Sequence, residues 1–149
     1  MSKSIKKNLK LVGKNNEDLK IISSYIQDSI VTVRDMVFLK KNRIFLMMVN
    51  RFMWENVEKE QSKQIKRIRC AIKFEEVLKV KSKKINQKNK NMRLECLAIK
   101  CNEILNKNYE IIFFFSGQGI VTLISEAIEV VLHDLGEAWN VKHIPKHRI

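Results

Sequence analysis

Ile65-Lys66-Arg67-Ile68-Arg69-Cys70-Ala71-Ile72-Lys73-Phe74 opens a clear alternation, with Ile68, Cys70, Ile72 and Phe74 on one parity and Arg67, Arg69, Ala71 and Lys73 on the other. Successive side chains of a strand point to opposite faces, so the segment reads as a half-buried β-strand. Val77 to Lys83 repeats the device, with Leu78 and Val80 inward and Lys79, Lys81 and Lys83 outward. Glu75-Glu76 between them is short enough to be a hairpin link. Such a hairpin would place Arg67, Arg69, Lys73, Lys79, Lys81 and Lys83 on one cationic face.

Working outward, the same period recurs on both sides. Ile30 to Leu39 and Arg43 to Val49 are rich in Val, Ile, Met and Phe, and the polar break Lys40-Lys41-Asn42 makes them a hairpin. Met92 to Cys101, Tyr109 to Phe115 and Ile120 to Ile124 read as further strands, the last two joined by the turn Gly117-Gln118-Gly119, whose glycines accept a positive φ. Glu55 to Lys63 and residues 84–91 are polar and unpatterned, which predicts loops. Residues 126–135 fit a helix through Ile128, Val131, Leu132 and Leu135 or a strand through Ile128, Val130 and Leu132; the strand is the reading adopted. A stripe of helical period occurs once, at Leu19, Ile22, Tyr25 and Ile26, behind the capping and acidic residues Asn15-Asn16-Glu17-Asp18. It predicts a helix over 17–28 that packs across the sheet through Leu19, Ile22 and Ile26.

The expected fold class is therefore α+β: an N-terminal amphipathic helix on a mainly antiparallel β-sheet, a meander that stays open or curls into a half-barrel or sandwich. Residues 1–14 form a basic, flexible N-terminal arm in this reading, and 15–149 a single α+β domain. At 149 residues the chain needs no second domain to bury a core.

The net charge is +13, and its distribution is uneven: +5 over residues 1–14, 0 over 15–58, +9 over 59–91 and −1 over 92–149. A polyanion or anionic surface is one explanation. Codon bias is the other, since 22 of the 29 basic residues are Lys and the chain carries 19 Ile and 13 Asn. The longest apolar runs, Ile44 to Val49 and Ile111 to Phe115, span six and five residues, too short for a transmembrane segment. Met1 to Lys10 leads into no apolar stretch, so it is not read as a secretory signal, and a cytoplasmic location is expected. Cys70, Cys96 and Cys101 read as small buried apolar residues.

The sequence carries no nucleotide, hydrolase or zinc-protease motif, and no catalytic residue, cofactor or metal is assigned. Cys96 and Cys101 lie five apart, which on a regular strand puts them on opposite faces. His133, Asp134, His143 and His147 could form a small enzyme's site if they converged. The candidate binding residues are of two kinds. One is the basic set just named; the other is the aromatic segments around Arg51 and Trp54, just past a strand end, and around Trp139. Both Trp54 and Trp139 could equally cap the core, with Arg51 paired to Glu55.

Four segments together, Asp18-Leu19 with Ser23 and Gln27-Asp28, Asn50-Arg51-Phe52-Met53-Trp54-Glu55, Phe74-Glu75-Glu76-Val77-Leu78 and Leu132-His133-Asp134-Leu135-Gly136-Glu137-Ala138-Trp139, resemble the alphaproteobacterial family called domain of unknown function 2948. The resemblance covers roughly residues 18 to 147 and implies a short bacterial protein without an assigned reaction, cofactor or catalytic residue. This chain departs from it in using Lys and Ile where Arg and Leu are expected. The functional expectation is a non-catalytic binding or adaptor module using a sheet face, its partner a protein or, weakly and non-specifically, a nucleic acid or anionic surface. The alternative is the small enzyme with its site at His133 and Asp134.

Overall fold

The structure, a computed structural model, describes residues 9–53 and 66–140, the last of these in its backbone alone. Among these residues are nine strands, β1 (Lys10–Gly13), β2 (Ile30–Leu39), β3 (Ile44–Phe52), β4 (Lys66–Phe74), β5 (Val77–Lys83), β6 (Arg93–Glu103), β7 (Tyr109–Phe115), β8 (Ile120–Ser125) and β9 (Val130–Asn140), and one α-helix, α1 (Asn16–Ile26). The strands form one open antiparallel sheet in the order β1-β9-β4-β3-β2-β6-β7-β8-β5. This is the expected α+β class.

Helix α1 starts where its capping chemistry is. Asn15 Oδ1 accepts the Asp18 amide at 2.8 Å, and Asp18 Oδ2 accepts the Lys14 amide at 2.9 Å. It ends two residues before the expected boundary, because Gln27 leaves the helical region and Asp28 turns at φ 62°. Leu19, Ile22 and Ile26 are buried to 1% exposure or less, as the stripe predicts, and each contributes roughly 1.5 to 3 kcal/mol on burial. Ser23 does a second job: its Oγ accepts the Ile99 amide at 2.9 Å, so the helix covers an unpaired stretch of β6.

The sheet folds over on itself. β6 pairs with β2 only from Arg93 to Glu95 and with β7 over most of its remaining length, so it belongs to both layers. Phe113 of β7 then packs edge-on to Phe74 of β4 at 5.4 Å and against Phe45 of β3 at 6.2 Å. Ile72 is fully buried in the same core, with Lys73 turned outward.

Several expectations are corrected. Glu75-Glu76 is not a hairpin link: β4 pairs with β3 and β9, while β5 pairs with β8 in the opposite layer. The chain switches layers there, with Glu76 at φ 60°, and switches back between β8 and β9. The two crossings are tied together by Glu75 N to Glu129 O and Glu126 N to Glu76 O, both 2.9 Å, and by fully buried Ser125, whose Oγ lies 2.6 Å from Ala127 O. The 126–135 segment becomes strand only from Val130, because its first residues form this corner. The N-terminal arm is not free over its whole length: Lys10 to Gly13 pairs with β9 as β1. Gly13 allows that approach, since a Cβ there would stand 2.6 Å from Val130 Cγ1.

Register breaks in β5 and β6 shift side-chain parity away from the sequence pattern. In β5 a register break between Val77 and Lys79 sends Val77, not Leu78, into the core. In β6 a break between Cys96 and Ala98 brings Cys96, Ile99 and Cys101 to one face, opposite Phe115, Phe113 and Ile111, so the two cysteines share a side after all. The Glu55 to Lys63 loop lies outside the described residues.

Candidate functional site

Arg51 is the largest fully buried side chain of the described residues, at 1% exposure. The sequence reading put it past a strand end, but β3 continues to Phe52, and Arg51 keeps the inward parity of Phe45, Met47 and Val49. Its Nε and Nη2 donate to Asp134 Oδ1 and Oδ2, each at 2.7 Å, and its Nη1 donates to Phe52 O at 3.1 Å. The guanidinium also lies 5.5 Å from the Tyr25 ring centroid. Asp134 belongs to β9 and Arg51 to β3, with β4 between them, so the pair clamps three strands across the core. A planar fork meeting a carboxylate is the geometry that survives burial, because both ions keep their hydrogen bonds.

The neighbouring groups are structural in the same sense. Burial pushes the Cys70 thiol up to about 12, helped by the charge of Asp134 and opposed by Arg51. Burial likewise pushes the Cys96 thiol up to about 12, with Asp28 adding to it, and raises Cys101. Such thiols are protonated and poorly nucleophilic. His133 is exposed on the outer face of β9, whereas Asp134 is buried on the inner one, so the pair does not converge on one site. His143 and His147 lie outside the described residues, and among the described residues no cluster of His, Cys, Asp and Glu could hold a metal.

The structure does not assemble the basic set into one face. Arg67 is spent on backbone and aromatic partners: Nη1 donates to Asn50 O at 3.0 Å, and the guanidinium lies 4.3 Å from the Phe52 centroid. Desolvation lowers its pKa, against the opposing charges of Glu95 and Asp28. Arg69 donates to Asp35 at 3.1 Å and to Asn50 Oδ1 at 3.2 Å, and Lys73 lies 3.6 Å from Glu75. Lys79, Lys81 and Lys83 stand in the other layer, on an edge strand. Trp139 is 41% exposed and faces Arg67 across β4 and β9; Trp54 lies outside the described residues.

What the outer face of β1, β9, β4, β3 and β2 does assemble is a set of aliphatic residues interspersed with a few basic ones. One cross-strand row runs Val12, Val131, Lys73, Leu46, Val37, and the next runs Lys10, His133, Ala71, Met48. Helix α1 packs on the inner side, and among the described residues no element covers the outer one. Arg69, beside Leu135, closes the face toward the β3 C-terminus.

A family model described as protein of unknown function (DUF2948) matches residues 9–147. The chain belongs to that family. The match spans both halves of the Arg51–Asp134 clamp and every strand of the sheet. Searches of curated proteins and of solved structures found no match. Among the described residues no helix is long and apolar enough to cross a membrane.

Proposed function

We propose that this chain is a non-catalytic binding module that meets a protein partner through the outer face of β1, β9, β4, β3 and β2. The observation that carries the reading is the row Val12, Val131, Lys73, Leu46, Val37, four aliphatic residues with one cation among them, in which Val12 is 53% and Val37 41% exposed on a layer otherwise packed from its inner side. Exposed aliphatic groups gathered on one face mark interaction surfaces more often than isolated exposed residues do. The complementary partner presents an aliphatic patch with carboxylates at its edge, opposite Lys10 and His133. A protein fits this face better than a polyanion, because Arg67, Arg69 and Lys73 already have partners and the β5 lysines lie in the other layer.

The test replaces Leu46 and Val131 together with Glu. Both are outward-facing, so the melting temperature should change little while capture of protein partners from the native cell is lost. Capture of the same set by the wild type and the double variant would reject the reading. In parallel, RNA, double-stranded DNA and anionic vesicles are titrated at about 50 and 200 mM salt against the wild type and the Lys79, Lys81 and Lys83 to Gln variant. Strong, salt-sensitive binding that the triple variant loses would put the polyanion reading in its place.

A further inference from the structure

β2 parts from β6 after Thr32, and its next two amides, Val33 and Arg34, donate instead to Met92 O and Lys90 O of the loop that precedes β6. The layers splay there, and a cavity of about 290 Å³ opens between them. Val33 and Met36 of β2 and Phe45 of β3 form one wall, Val80 of β5 and Val121 of β8 the other, and Ile85 closes the side. The polar lining residues are Ser82, near the end of β5, and Gln87 and Lys90 of the loop that follows. Ser82 and Gln87 satisfy each other at 2.7 Å. Lys90 remains; among the described residues it is in no ion pair and no carboxylate lines the cavity.

A half-open cleft walled mainly by apolar side chains, with Lys90 as the one cation among its described lining residues, selects for one chemistry. The walls favour an alkyl chain, which gains by leaving water, and the ammonium favours an anionic head, which a charge-assisted hydrogen bond would fix at the mouth. At about 30 Å³ per small group, the volume holds roughly nine or ten heavy atoms. We propose that this cavity binds a medium-chain carboxylate, with its tail between the Val33 and Val80 walls and its carboxylate on Lys90. The site lies on the inner side of the sheet, away from the face discussed above, so either proposal can fail alone.

The experiment is a methyl NMR titration of the full chain with octanoate, with octanol as the uncharged analogue and butyrate as the short one. Octanoate should give saturable shifts confined to the methyls of Val33, Met36, Val80, Ile85 and Val121. Octanol and butyrate should each bind about tenfold more weakly, one lacking the ion contact and the other most of the buried tail. Lys90→Glu, at an exposed position, should weaken octanoate by at least the same factor with the melting temperature unchanged. Absence of saturable shifts at those methyls in the wild type, or equal affinities for octanoate and octanol, would overturn the assignment.

Discussion

Arg51 and Asp134 are 83 positions apart in sequence and 2.7 Å apart in space, and each is buried to about 1% exposure. Removing Asp134 takes the bidentate carboxylate away from a buried guanidinium, so Asp134→Ala should cost about 3 to 5 kcal/mol in urea denaturation. Replacing both, as Arg51→Met with Asp134→Leu, should recover much of that loss, since apolar groups of similar volume carry no desolvation penalty. A single variant as stable as the wild type would show that the clamp bears no load. The buried thiols make a pH prediction. Their folded pKa, about 12 for Cys70 and Cys96, stands above the ordinary 9.0, so the native state prefers the protonated form. Their contribution is therefore complete below about pH 9 and is lost as pH rises toward 12. Denaturation midpoints should fall over that window, and less steeply in Cys96→Val; equal slopes would remove Cys96 as a cause.

Helix α1 and strand β6 meet through a side chain rather than a ladder. The Ile99 amide would face no strand on that side, and Ser23 Oγ accepts it at 2.9 Å. Ser23→Ala leaves a half-buried donor unpaired, which costs about 1 to 3 kcal/mol. Amide hydrogen exchange at Ile99 should accelerate in the variant, and an unchanged rate would assign the protection to packing alone. Helix and strands were legible in sequence because each rests on local chemistry: Asn15 caps, Leu19, Ile22 and Ile26 repeat at helical spacing, and β4 alternates without interruption. The register breaks were not legible. Val77 displaces Leu78, and Cys101 joins Cys96 on one face, because a register break depends on the partner strand and not on the shifted segment's own pattern.

At the scale of the whole molecule, the charge that dominates the composition falls partly on an edge. β5 pairs with β8 alone, and Lys79, Lys81 and Lys83 line its solvent side. Charged residues on an edge strand block pairing with another chain. Changing all three to Thr should leave the melting temperature nearly unaltered and speed aggregation, read by light scattering; equal rates would leave the lysines without this role. The bare outer face was only half legible. Arg69 and Lys73 were rightly placed outward by parity, yet their neighbours Leu46, Met48 and Val131 come from strands whose adjacency no local pattern encodes. By itself the sequence determined the kinds and order of the elements and most inward faces, since period and capping act over a few residues. Tertiary structure alone decided that β4 lies between β3 and β9 and that β5 crosses to the far layer. It also decided that Arg51 meets Asp134. Those choices follow from burying Phe45, Phe74 and Phe113 in one core and from the two layer-switching corners pinned at Ser125, and no segment carries that information without the others.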